Sequence, residues 1–194
     1  MERVDFNKYF IIRRIADRAA EIHESVNQHY DEHPYSYHLN MVADFVSKYL
    51  FEIVKNEDYI VPVMFGAYFH DTIEDARLTY NDVRKIASEF MNILPQVDLA
   101  ADIVYALTNE KGKNRAERAN DKYYTGIRET PYASLVKVCD RLANYTYAKQ
   151  TKSKMVACYE KENKEFISKI CNYDTKDVRF KVPDELLNEL LNKD

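Results

Sequence analysis

Apolar residues return along the chain at a helical rhythm, and the first clear run is Phe6, Phe10, Ile11, Ile15, Ala19 and Ile22. That 3.6-residue period predicts an amphipathic helix from Asp5 to Ser25, with Asp5 as its cap. Polar, turn-rich Asn27 to Tyr37 follows around Pro34, and Leu39 to Val54 predicts a second helix with His38 near its start. Asp58 precedes apolar Ile60, Val63, Met64 and Ala67, a pattern of a buried third helix that tolerates Pro62 in its first turn. Thr79 is read as the cap of a short helix through Phe90, and another helix covers Val97 to Leu107 after Pro95. Gly112 marks a loop. Asn114 to Arg128 reads as a highly charged helix, and Pro131 opens an apolar one through Leu142 that continues toward Tyr147. Lys152 to Ile170 is helical again, and Pro183 starts a short helix over about 183–192. Asp177 to Val182 alternates weakly and is read as a short extended tail. The sum is an all-α bundle of eight or nine helices with no convincing strand.

Composition narrows this picture without changing it. The 194 residues, 46% apolar and 31% charged, fit one globular unit over 1–194, with its core at about 5–171. Three Gly and five Pro argue against turn-dense all-β and collagen-like chains. The net charge of -4 gives no overall pull toward nucleic acid or anionic membrane, so no partner of either kind is expected. The longest apolar run, Tyr59 to Phe69, is broken by Pro62 and falls well short of the roughly 20 residues a membrane span requires. The N-terminal residues lack a secretory pattern, and Cys139, Cys158 and Cys171 have no paired spacing. A cytoplasmic setting with reduced thiols is the expectation.

The chemistry-bearing segment is His70-Asp71-Thr72-Ile73-Glu74-Asp75. If the third helix continued, Asp71, Glu74 and Asp75 would extend its buried stripe as three carboxylates. Such groups repel one another and oppose the helix dipole, and a cation would offset both effects. Alternatively the helix unravels after His70 and the acids lie in solvent. Asp140 stands between Val136 and Asn144 at intervals of four, among Leu135, Val138, Cys139, Leu142 and Ala143. A carboxylate there needs a partner, either Lys137 or Arg141 or a metal. His38 completes a possible set of two imidazoles and two carboxylates, His38, His70, Asp71 and Asp140. An N2O2 shell suits Mn, Fe or Zn better than Ca or Mg.

The order His38, His70-Asp71, Asp140 resembles the HD superfamily of metal-dependent phosphohydrolases. Pro34-Tyr35-Ser36-Tyr37-His38, His70 to Asp75, Leu107 to Lys111 and Val136 to Asn144 are similar to the hydrolase domain of RelA/SpoT homologues. The likeness runs from about Ile15 to Tyr147, and the length resembles the stand-alone small alarmone hydrolases of the metazoan SpoT-homologue type. The resemblance implies that His38, His70, Asp71 and Asp140 hold one Mn2+, and that Glu74 and Asp75 orient or deprotonate the attacking water. It places Asn144 beside the ribose and pyrophosphate of a small nucleotide substrate. Family members remove the 3'-pyrophosphate of guanosine tetra- or pentaphosphate to give GDP or GTP.

Where that family carries a base-stacking Arg, this chain reads Asn27, Gln28, His29, which makes His29 the candidate for the base. Lys111 and Arg115, with Lys113, Arg118 and Lys122, form a basic stretch that either meets substrate phosphates or is a solvated face balanced by Glu110, Glu117 and Asp121. Two other readings compete: an HD phosphohydrolase for an adenosine alarmone, nucleoside phosphate or dinucleotide, and a non-catalytic nucleotide-sensing module. Sequence leaves the oligomeric state open.

Overall fold

The computed structural model describes residues 6–109 and 113–192. Among them the chain forms eleven α-helical segments, two of which are single turns of four residues. That is the all-α bundle the periodicity predicts, with nine helices longer than one turn. No helix among the described residues is long and apolar enough to cross a membrane.

Helix α1 covers Phe6–Ser25 and α2 covers Ser36–Ile53. Between them, His29–Tyr30 (β1) and His33–Pro34 (β2) pair antiparallel as a minimal hairpin, a feature the sequence reading did not include. A 3-10 turn, Glu57–Tyr59, capped by Asn56, whose side chain accepts from the Asp58 amide, leads into α3, Ile60–Phe69. Helix α4 is the single turn Thr72–Asp75, α5 spans Tyr80–Ala87 and α6 spans Leu94–Leu107. Thr79 and Asp82 cap α5 reciprocally, as a Thr three residues before an acid can.

The charged stretch after Gly112 is not one helix. It divides into α7, Arg115–Arg118, and α8, Asp121–Glu129, because the Asn120 side chain accepts from the Tyr123 amide and starts a new helix. Helix α9 runs Ala133–Gln150, beyond the Tyr147 expected, and starts after Tyr132, whose φ of 65° is left-handed. Helix α10 is Met155–Ile170 and α11 is Asp184–Leu190. Asp177 to Val182 holds a 3-10 turn, Val178–Phe180, where an extended tail was expected, because Asp177 accepts from the Arg179 amide.

Helix α3 is the axis of the core, and its sequence explains why. Apolar residues surround it on every side, as expected of a helix with no solvent face. Val63, Met64 and Ala67 pack into a core with α2, α8, α9, α10 and α11. Val61, Phe65 and Phe69 face a second core with α1, α5 and α6, where the Phe65 and Phe69 rings stack at 4.1 Å. On α1, Ile15, Ala19 and Ile22 are buried as the stripe predicts and Ile11 packs at the core's edge, but Phe10 is 61% exposed.

Gly66 lets α3 approach α6. A Cβ built there falls against the branched side chain of buried Ile103, whose own Cβ is 3.1 Å away. Gly66→Ala is therefore expected to destabilise the fold by about 1–3 kcal/mol through overpacking, read as a lower urea midpoint at unchanged slope.

Helix α11 docks on α2, α9 and α10. Leu186 and Leu190 are fully buried, and Glu189 bonds both Tyr49 and Lys48. The Leu190 carbonyl accepts from Asn163 at 3.1 Å, and Asn163 accepts from Arg141 Nε at 3.0 Å.

Candidate metal centre

Three packed helices bring together residues from distant parts of the chain. His38 lies in the first turn of α2, His70 and Asp71 follow the end of α3, and Asp140 sits midway along α9. Helix α3 does not carry its stripe straight into the acids: it ends at Phe69, whose carbonyl accepts from the Thr72 hydroxyl at 2.8 Å. The chain turns through His70-Asp71 and re-forms as α4. This break swings Asp71 inward, leaves Asp75 half-buried and exposes Glu74. Neither the continuous helix nor the solvated acids considered for the sequence describes it.

The imidazole Nε2 atoms of His38 and His70 are 3.3 Å apart, and both residues are buried. Asp71 Oδ2 lies 2.9 Å from His70 Nε2 and 3.9 Å from His38 Nε2. The ligating atoms of these three residues fall within 4.8 Å of one another. Asp140 Oδ1 closes the set from the α9 side, 3.3 Å from His38 Nε2 and 3.8 Å from His70 Nε2.

Hydrogen bonds outside the cluster fix how these groups point. His70 Nδ1 lies 2.8 Å from the Ala67 carbonyl. A carbonyl only accepts, so Nδ1 bears a proton and Nε2 is the nitrogen that faces the cluster, available as a ligand once it gives up its own proton. Tyr35 donates to Asp71 Oδ2 at 2.5 Å. Of the side chains that could pair with Asp140, Lys137 does so: Oδ2 receives its ammonium at 2.9 Å, while Oδ1 faces the imidazoles and receives Asn144 Nδ2 at 2.7 Å. Arg141 turns away, to Glu162 and Asn163.

The electrostatics favour a cation here. Burial alone would strip the charge from His70, yet Asp71 and Asp140 hold its proton up to about 9. Against the same burial, His70 keeps Asp71 ionised, and Lys137 with the two imidazoles holds Asp140 well below the usual carboxylate range. Two carboxylates facing two imidazole nitrogens are a donor set that fits a divalent transition ion, whose uptake would release the His70 proton. Tyr35→Phe should remove a charge-assisted bond to Asp71 and lower stability by about 1.5–3 kcal/mol in urea denaturation of the metal-free chain.

Two further acids flank the cluster. Glu74 is clamped by Asn109, whose backbone amide donates to Oε1 at 2.6 Å and whose side-chain amide reaches both oxygens, at 2.9 and 3.1 Å. Asp75 is pushed up to about 6 by burial and by the charge of Asp71, and its buried Oδ2 has no hydrogen-bond partner among the described residues. Asp140 and Asn144 open into a cavity of about 260 Å³, whose wall also includes Asn109, the partner of Glu74. Lys137, Arg118 and Arg141 line it with Asn109, Tyr123, Tyr124, Tyr159 and Phe166.

Of the substrate residues named from sequence, Asn144 is at this cavity. His29 is not: it is exposed on β1, its ring Nδ1 3.1 Å from the Asn27 carbonyl. Lys111 and the Arg115 side chain lie outside the described residues, whereas their neighbour Arg118 lines the cavity. Tyr132 belongs to the core.

Sequence reasoning passed over three residues next to the cluster. Tyr30 stacks on His38 at 4.7 Å and donates to Asn144 Oδ1 at 2.9 Å. Tyr35 bonds Asp71, and His23 stacks on Tyr35 at 4.4 Å. A His on the apolar stripe of α1, one position from Ile22, was the available signal for His23. No protein-family model matches the chain, and no curated protein matches it.

Proposed function

We propose that this chain is a divalent-metal-dependent phosphohydrolase acting on a nucleotide, with the 3'-pyrophosphate of guanosine tetra- or pentaphosphate as lead substrate. One observation carries the reading: His38, His70, Asp71 and Asp140 converge beside Glu74 and Asp75 and next to a cavity lined by basic and aromatic side chains.

His38, His70, Asp71 and Asp140 would hold the ion, with Mn2+ as the expected metal. When bound, such an ion lowers the pKa of a coordinated water and offsets charge on the attacked phosphate. The protein residues supply the rest. Asp75 is suited to take a proton from water, because partial burial and the neighbouring Asp71 make its carboxylate more basic than an ordinary one. Glu74, held by Asn109, orients the same water. Lys137 and Arg118 bring positive charge to the cavity side, where a phosphate chain needs it, and Asn144 offers its amide edge beside Asp140. Water oxygen joins phosphorus while the ribose 3'-oxygen leaves and is protonated, so no covalent nucleophile is required.

A second reading keeps the chemistry and changes the base. The hairpin presents Tyr30 toward the centre and leaves His29 outside it, so nothing at positions 27–29 selects guanine. An adenosine alarmone or another nucleotide fits that arrangement. The test is a panel of guanosine and adenosine alarmones and ordinary nucleotides incubated with the purified chain and Mn2+, with products separated by chromatography. Pyrophosphate released from the guanosine alarmone supports the lead reading, and release from an adenosine species alone supports the second. Nucleotide binding with no product over hours supports the sensing module and overturns both.

A further inference from the structure

His23 is a buried titratable residue that the proposed chemistry does not use. It is 1% exposed, and neither of its ring nitrogens has a hydrogen-bond partner among the described residues. A phenyl ring would fill the same stack on Tyr35 without burying two polar atoms. The unpartnered nitrogen has a complementary unpartnered atom opposite it: His23 Nδ1 faces Asp75 Oδ2 at 3.8 Å. That separation is too long for a hydrogen bond, and catalytic hydrogen bonds are often long before substrate binds and tighten in the complex. Burial pulls His23 down to about 4, so at neutral pH the ring is uncharged and carries a single N–H.

We propose that His23 is the positioning residue for Asp75: its imidazole N–H is the donor that fixes the direction of the Asp75 carboxylate beside the metal centre. The inference rests on the phosphohydrolase reading. Helix α1 supplies His23 and α4 supplies Asp75, so packing of α1 against α4 sets the aim of the base. Tyr35, stacked on His23 and bonded to Asp71, holds the ring plane and ties this arrangement to the metal ligands.

The experiment uses the full chain with Mn2+ and guanosine tetraphosphate. His23→Leu should lower kcat by about 10- to 100-fold, the size of effect typical of groups that orient a centre from behind, while KM and metal content hold. His23→Gln, which restores a donor, should recover part of the loss. In an Asp75→Asn background, His23→Leu should add nothing. Equal losses in the Leu and Gln variants, a full additional loss in the Asp75→Asn background, or unchanged kcat in His23→Leu would each overturn the inference.

A second readout needs no turnover. Long-range 15N–1H NMR of the metal-free chain should show the His23 ring nitrogens shifting in Asp75→Asn, because a carboxylate charge 3.8 Å from Nδ1 is removed, and an unmoved ring overturns the juxtaposition. If the wild-type chain hydrolyses no nucleotide, the phosphohydrolase reading fails and the contact is decided by the ring shift alone.

Discussion

Asp75→Asn is expected to lose turnover by about 100- to 10,000-fold, the contribution typical of a positioned general base, and at the same time to make the metal-free protein more stable at pH 8. The two effects share a cause. Asp75 is a partly buried carboxylate beside ionised Asp71, with an oxygen that no described residue satisfies. Its folded carboxyl titrates near 6 against an ordinary value of 3.8, so between those pH values the folded chain binds more protons than the unfolded one. Stability therefore rises as pH falls through that window, and the cost of the ionised group is fully present above about pH 6. The amide removes that cost. Discounted for the 23% exposure of the side chain, the gain at pH 8 is about 1–2 kcal/mol, and it vanishes below pH 4. Urea denaturation at the two pH values checks the stability, and Mn2+ assays with metal analysis check the loss of turnover at retained metal. A variant less stable at pH 8 would mean that the carboxylate has a partner.

Asp140→Ala should be the most damaging single change to the fold as well as to the centre. It removes one donor from the metal set and strands Lys137, a largely buried ammonium held well above its usual range by Asp140. Breaking one side of a buried pair costs about 3–5 kcal/mol, because the remaining charge is uncompensated. Metal occupancy should fall with stability. Adding Lys137→Met should restore much of the stability and none of the metal or turnover, which separates the structural half of Asp140 from its ligand half. Full metal occupancy in Asp140→Ala would remove it from the ligand set.

The sequence carries the helices well where one face is continuously apolar. The α2 and α9 stripes could be read directly, and with them the place of His38 near a helix start and of Asp140 among apolar neighbours, one turn before Asn144. Breaks in helices were harder to see, because they depend on single side chains: Thr72 at the end of α3, Asn120 between α7 and α8, Asp177 before the last 3-10 turn. The first two compete locally with a helix that periodicity alone would continue, and Asp177 starts a turn where alternation suggested extended chain. His23, Tyr30 and Tyr35 were missed for another reason. Nothing in their spacing distinguishes them from packing, and their relation to the centre exists only once α1, the hairpin and α4 are folded against one another. Phe10 shows the converse, an apolar position in register with a stripe but beyond the edge of the core.

The contact of α11 with the rest of the bundle bears on the order in which a newly made chain becomes competent. Asn163 holds Arg141 in the cavity wall with one end of its amide and is itself held by the Leu190 carbonyl with the other. On the ribosome, His38, His70, Asp71 and Asp140 emerge early enough to meet, whereas that wall is completed only after residue 190 has been delivered. If the phosphohydrolase proposal holds, chains stalled before α11 should load metal yet lack the support that Leu190 gives this wall through Asn163.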